Sequence, residues 1–255
     1  MNLTDTHTHL YSEQFDEDRH AMIQRAMGAG VNRFFLPAID SETTEAMLQL
    51  QRDFPEHIHL MTGLHPTHVK ENYEAELDHV LQQLDKEKYV AIGEIGVDLY
   101  WDQSTKDIQM RAFHQQIEWA LERDLPIVIH CRDAFDEVFE VLERFDGQGL
   151  KGIFHCFTGT LEQAHRAIKC GMKLGIGGVV TFKNGKIDQF LNQIDLKHIV
   201  LETDAPYLSP VPYRGKRNES AYVKLVAEKV AELFNKSVEE IARITTSNSC
   251  EVFGV

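Results

Sequence analysis

The chain has 255 residues, 43% hydrophobic and 26% charged, with a formal net charge of −14. That balance belongs to a globular protein with a sizeable core and excludes a disordered chain. The acidity argues against a broad nucleic-acid-binding surface, which is normally basic, but leaves room for a metal-filled cleft that takes phosphate locally.

Short apolar runs read as strands at 2–6 (NLTDT), 31–37 (VNRFFLP), 58–63 (IHLMTG), 89–93 (YVAIG), 126–130 (PIVIH), 150–155 (LKGIFH), 172–176 (MKLGI) and 198–203 (HIVLET). Amphipathic stretches lie between and after them. ESAYVKLVAEKVAELF (219–234) repeats its apolar residues at three- and four-residue spacing, as a helix with one buried face requires. SVEEIARITTSNSCEVF opens on Ser237 with Glu240 three residues later, a capping-box pattern. Strands alternating with helices imply parallel pairing and right-handed crossovers. Eight such units in this length predict an α/β fold, a (β/α)8 TIM barrel forming one domain over 1–255. A doubly wound open sheet is the alternative.

No apolar run approaches the roughly 20 residues that span a bilayer. The N-terminus has no basic stretch followed by an apolar run. Cys131, Cys156, Cys170 and Cys250 form no CxxC pair. They read as small buried hydrophobes in a reducing compartment. A cytoplasmic monomer without a membrane partner is expected.

The histidines collect at the ends of the expected strands. His7 and His9 end the first, His65 follows the third, and His130 and His155 end the fifth and sixth. Glu94 follows the fourth strand and Asp204 the eighth. In a (β/α)8 barrel these ends meet at one face, where active sites sit. Residues i and i+2 of a strand share a side, so His7 and His9 can face one ion. Asp5 shares that parity and is expected one layer deeper, orienting a histidine.

Each piece alone has a plainer reading. An HxH can be a polar strand end, His130 and His155 can be hydrogen-bonded core residues, Glu94 can cap a helix, and Asp204 can start a turn. Together, His7, His9, Glu94, His130, His155 and Asp204 exceed one tetrahedral ion and suit two divalent ions sharing a carboxylate. Glu94 is the natural bridge, standing between the other ligands in strand order. The donor set admits Mg²⁺, Mn²⁺, Co²⁺ or Zn²⁺. YRGKRNE (213–219) follows the last strand and carries Arg214, Lys216 and Arg217 in an otherwise acidic chain. These, with Arg132 two residues after His130, are expected to contact phosphate, against a plain solvated loop and a structural salt bridge. Glu202 shares strand parity with Asp204, as a supporting or simply buried carboxylate. Phe157, Tyr207 and Tyr213 can stack on bases or pack.

The segments DTHTHL, GLHP, GEIGVD, PIVIHCRD, GIFHCFTG, LETDAPYL and PYRGKRNE resemble the TatD family of metal-dependent deoxyribonucleases, among the amidohydrolase-type metal-dependent hydrolases. The likeness runs from residue 4 to about residue 222 and into the C-terminal helices. It implies a TIM barrel, two divalent metals and phosphodiester hydrolysis in DNA, as a 3′–5′ exonuclease on single-stranded ends and sometimes on RNA. By position it implies that His7, His9, Glu94 and Asp204 hold one ion and Glu94, His130 and His155 the other. His65 would lie at the scissile phosphate, orienting it or protonating the leaving oxygen. Asp204 would also accept a proton from the attacking water. One departure is visible: after GEIGVD the chain reads LYWD, where many relatives have an aromatic directly after the aspartate, which bears on base contacts near Tyr100 and Trp101. The competing readings are an esterase or amidase acting on a small substrate or on aminoacyl-tRNA, and a metal-binding scaffold without turnover.

Overall fold

The structure, a computed structural model, describes residues 1–255. Its eight strands are β1 (Leu3–Asp5), β2 (Val31–Leu36), β3 (Ile58–Thr62), β4 (Ala91–Asp98), β5 (Ile127–Arg132), β6 (Gly152–Phe154), β7 (Met172–Ile176) and β8 (Ile199–Leu201). They pair in chain order, each parallel to the next. Backbone hydrogen bonds close the sheet between β8 and β1. Thr6 N–H donates to Leu201 O at 3.0 Å, Asp204 N–H to His7 O at 2.9 Å and His9 N–H to Ala205 O at 2.7 Å. The result is the expected (β/α)8 barrel.

The helices are α1 (Arg19–Gly28), α2 (Thr44–Asp53), α3 (Tyr73–Lys86), α4 (Lys106–Glu122), α5 (Phe135–Leu142), α6 (Leu161–Lys169), α7 (Val223–Phe234) and α8 (Val238–Phe253). No helix is long and apolar enough to cross a membrane. Each buries one apolar face, as α7 does with Val223, Val226, Ala227, Val230 and Ala231. The reciprocal capping box belongs to α6, between Thr160 and Gln163. At α8 only half of it forms: Ser237 accepts from Glu240 N–H at 3.1 Å, and the Glu240 carboxylate turns to Lys236 instead.

Three expectations are corrected. β4 extends to Asp98 and β5 to Arg132, so Glu94 lies within its strand rather than after it, and His130 two residues before the end of its strand rather than at it. Between β7 and β8 no α-helix forms. The chain crosses in short 3₁₀ turns, because glycines at 177, 178 and 185 interrupt any helical run. The helix expected from residue 219 starts at Val223, after a 3₁₀ turn over Ser220–Tyr222. There Asn218 Nδ2 donates to the carbonyls of Thr203 and Tyr207 and holds the approach to the helix.

One end of the barrel interior is apolar. Phe35, Met61, Ala91, Val128, Ile153 and Val200 cluster with Val252 and Phe253 of α8. The Phe253 ring stacks on Phe35 with centroids 4.0 Å apart. At the other end the buried residues are Asp5, His7, His9, Glu94, Asp98, His155 and Glu202.

Candidate metal centre

Glu94 sits at the middle of this polar end. Its Oε2 lies 3.0 Å from His7 Nε2 and 3.8 Å from His9 Nε2. Its Oε1 lies 2.8 Å from His130 Nδ1, 3.3 Å from His65 Nε2 and 3.7 Å from His155 Nε2. The two oxygens therefore face two different groups of histidines. Asp204 Oδ1 stands on the first side, 3.4 Å from His9 Nε2, 3.8 Å from His7 Nε2 and 3.9 Å from His155 Nε2. Two potential ligand sets follow this division, His7–His9–Glu94 and His65–Glu94–His130, while a third, His7–His155–Asp204, joins His155 to the first side. All six residues expected to bind metal converge here, and His65 joins them.

Neighbours fix which ring nitrogen faces the centre. Tyr11 OH lies 2.7 Å from both His9 Nδ1 and the Pro37 carbonyl. A carbonyl only accepts, so the tyrosine proton goes to Pro37 and His9 Nδ1 donates to the hydroxyl. That leaves the Nε2 lone pair of His9 facing Glu94 and Asp204. Asp98 Oδ2 lies 2.8 Å from His130 Nε2 and so presents Nδ1 to Glu94. Glu202 Oε1, fully buried, lies 2.9 Å from His155 Nδ1 and accepts from Cys156 N–H at 2.7 Å. Carboxylate partners of this kind orient ligating histidines and raise their basicity. Glu202 fits only because β7 has a glycine beside it: a Cβ on Gly175 would fall 2.2 Å from Glu202 Oε2.

His65 is wired the opposite way. Its Nδ1 accepts from Thr67 N–H at 3.2 Å, so the neutral ring carries its proton on Nε2, toward the centre. Burial pushes its pKa down to about 4 against the pull of Glu94, which keeps the ring neutral near pH 7.

Backbone turns aim several of these side chains. Asp204 (φ 56°), Cys156 beside His155 (φ 42°) and Asp133 beside Arg132 (φ 53°) adopt left-handed conformations. Such conformations are sparsely populated for non-glycine residues, cost of order 1–3 kcal/mol each and cluster at functional sites.

The electrostatics favour cations. Burial raises the Glu94 pKa, but His7, His65, His155 and His130 outweigh it and hold the carboxyl well below its usual range. Asp98 and Asp204 are lowered in the same way, against burial, by their histidines. His155 is depressed by burial yet pushed up to about 10 by Glu202, Glu94 and Asp204. No lysine or arginine pairs with Glu94, Asp98, Glu202 or Asp204; their ionic partners are histidines alone. His7 Nδ1 and Glu202 Oε2 find no hydrogen-bond partner, and the close approaches of His7 Nε2 to Glu94 and of His155 Nδ1 to Glu202 are ionic contacts without hydrogen-bond geometry. Buried anions without compensating cations are costly. Divalent ions fit this donor set of imidazoles and carboxylates.

The structure redistributes other expectations. Asp5 does not reach a histidine ring. It accepts from Thr203 N–H at 2.9 Å and Thr203 OH at 2.6 Å, and burial pushes its pKa up to about 7, so it pins the exit of β8. Arg217 is committed elsewhere: its amino groups hold both oxygens of Asp18 and the Gln14 carbonyl. It ties the loop after β8 to the loop after β1, as a structural ion pair and not a free phosphate contact. Arg214 lies over the Phe182 ring at 4.4 Å, and Lys216 is exposed with no ionic partner. Arg132 lies over Tyr100 at 3.6 Å. Phe157 is buried among Phe135 and Phe154 and is core. Tyr213 stacks on Tyr222.

Sequence reasoning misses Tyr11 and Asp98, yet both carry a signal. Tyr11 stands two residues after His9, and Asp98 shares the period-two face of β4 with Glu94.

A barrel of this kind, with histidines and carboxylates gathered at its strand ends, defines a class of metal-dependent hydrolases. The chain belongs within it to the TatD family: the TatD related DNase family model matches residues 4–254. It is 41% identical over 99% of both chains to the uncharacterized metal-dependent hydrolase YabD of Bacillus subtilis. It is 32% identical over 98% of both chains to the 3′-5′ ssDNA/RNA exonuclease TatD of Salmonella typhimurium. The crystal structure of YjjV, a TatD homolog from Escherichia coli, superposes with a TM-score of 0.93 at 31% identity, covering 99% of this chain and 98% of that one.

Proposed function

We propose that this hydrolase cleaves phosphodiester bonds of DNA, as a 3′–5′ exonuclease on single-stranded ends, with two divalent ions sharing Glu94. The observation that carries the reading is the division of Glu94: Oε2 toward His7 and His9, Oε1 toward His130 and His65. In this reading His7, His9, Glu94 and Asp204 hold one ion and Glu94, His130 and His155 the other. His155 Nε2, within 4 Å of both Glu94 and Asp204, is compatible with that division. Two such ions, when bound, acidify water and neutralise charge on the phosphoryl oxygens.

The chain's own groups do the rest. Asp204, ionised and with 14% of its side chain exposed at the mouth, accepts the proton from the attacking water. His65 presents a neutral Nε2–H, a donor for a phosphoryl or leaving oxygen, without adding a fixed charge. Arg132, Arg214 and Lys216 supply phosphate contacts at the rim. Three local cations suit the end of one strand rather than a long duplex held through many phosphates. The relatives named as ssDNA/RNA exonucleases support the substrate class and keep RNA as a second polymer. The free cysteines agree with a reducing, cytoplasmic setting.

The test is incubation with a 5′-labelled single-stranded oligonucleotide in Mg²⁺, in Mn²⁺ and in EDTA, beside Glu94→Ala. The expected result is a metal-dependent ladder that shortens from the 3′ end and is absent with the variant. An intact oligonucleotide, with metal bound, would favour the esterase or amidase reading.

A further inference from the structure

Beside the metal centre the rim carries a ledge at Arg132 whose two aromatic rings the proposed chemistry does not use. Trp101 is 70% exposed and Tyr100 53% exposed, the two rings meeting edge to face at 4.9 Å. Large aromatic surface left in water calls for a partner. The Arg132 guanidinium lies 3.6 Å over the Tyr100 ring and 5.4 Å from the Trp101 centroid. It has no side-chain hydrogen bond and no carboxylate partner, in a chain of net charge −14. Tyr100 thus occupies one face of the guanidinium and leaves its N–H groups free.

The ledge is mounted directly on the metal centre. Asp98 Oδ1 accepts from Tyr100 N–H at 3.0 Å and Trp101 N–H at 3.2 Å, while Oδ2 holds His130 Nε2 at 2.8 Å. One carboxylate therefore sets both the ligand and the ledge. Asp98 and Arg132 are also paired residues of β4 and β5. Gln109 fixes the strand end from below, accepting from Asp98 N–H and donating to Asp98 O.

We infer that this ledge is a nucleobase subsite: Trp101 stacks on an unpaired base next to the scissile phosphate while Arg132 binds the phosphate. The inference rests on the phosphodiesterase reading and deepens it by naming what the site recognises beyond phosphate. An indole stacks on any base, so the subsite selects for the presence of an unpaired base and not for its identity. A base held in a duplex keeps its own stack and is a poor occupant.

The experiment compares two single-stranded oligonucleotides of equal length and phosphate number, oligothymidylate and an all-abasic tetrahydrofuran chain. Only two tryptophans are present, and Trp119 is half-buried in α4, so Trp101 reports as a fluorophore. Binding is followed by tryptophan quenching and by anisotropy of labelled oligonucleotide, in EDTA, without turnover. Oligothymidylate should quench and bind about tenfold more tightly than the abasic chain, the scale of one base–aromatic stack. Trp101→Ala should abolish the quench and reduce the preference to about twofold or less, and Trp101→Phe should restore most of it. Equal binding of both chains to the wild type, or an unchanged preference in Trp101→Ala, would overturn the subsite. Degradation separates the two readings. If both chains are cut equally, the nuclease stands and the subsite falls. If neither is cut but the base-dependent quench persists, base stacking on Trp101 stands, while the nuclease reading falls and the placement beside a scissile phosphate falls with it.

Discussion

The two ends of the barrel interior use burial in opposite ways. At one end Phe35, Met61, Val128 and Val200 pack against Phe253, with the His59 ring stacked on Phe35, and α8 closes the barrel. At the other, Asp5, Glu94, Asp98 and Glu202 are as fully buried, yet all carry carboxylates. The apolar end gains stability from the surface it removes from water. The polar end concentrates anions whose only ionic partners are histidines, and so stores a demand for cations. The same eight strands supply both ends, which lets the polar end be unfavourable by itself. Trimming a side chain at the apolar end should change stability alone, and removing a ligand at the polar end should change chemistry alone.

The largest expected effect is at Glu94. Glu94→Ala removes the carboxylate proposed to be shared, and metal-dependent turnover should fall about 1000-fold or more, on the scale of several kcal/mol of charge stabilisation. Single-turnover rates at saturating metal would check this. At the other end Phe253→Ala should lower stability by about 3 kcal/mol, the low end for a buried phenylalanine, while leaving kcat/KM of the folded enzyme within about twofold. Urea unfolding with parallel assays measures both; a large fall of kcat/KM in the folded fraction would mean that the ends are coupled.

Smaller effects sharpen the picture at the rim. Asp98→Asn keeps the shape but weakens the orientation of His130, and metal affinity should drop about 10–100-fold by titration, with the melting temperature of the metal-free protein little changed. Arg214→Ala with Lys216→Ala should raise KM for single-stranded oligonucleotides and flatten its salt dependence by about 0.7 units of log–log slope for each phosphate no longer neutralised. Arg217→Ala should instead cost up to about 1 kcal/mol of stability, through its pair with Asp18, and leave KM unchanged. A KM effect as large as that of the Arg214 and Lys216 variants would show that Arg217 reaches substrate after all.

The apolar end and the strand order are legible in the sequence because period-two and helical patterns report directly on burial. All eight strands are within reach of those patterns, and the convergence of His7, His9, Glu94, His130, His155 and Asp204 follows from their places at strand ends. The misplacements have physical causes. A buried parallel strand has no polar alternation to mark its end, so β4 is cut short before Asp98, and the partner of His130 goes with it. Roles set by long-range pairing are out of reach: Asp18 meets Arg217 from 199 residues away, and Glu202 meets Cys156 from 46. The regular alternation of the other units suggests a helix between β7 and β8, although the glycines there point to turns.

The proposed bridge between two ions is Glu94. It is tested most directly by titrating the metal-free protein with Mn²⁺ and following electron paramagnetic resonance. Two equivalents should bind per chain, and the spectrum should pass to that of an exchange-coupled pair, as ions about 3.5–4 Å apart give; in Glu94→Ala the coupling should vanish. Saturation at one equivalent, or two ions that remain uncoupled in the wild type, would contradict a centre bridged by Glu94.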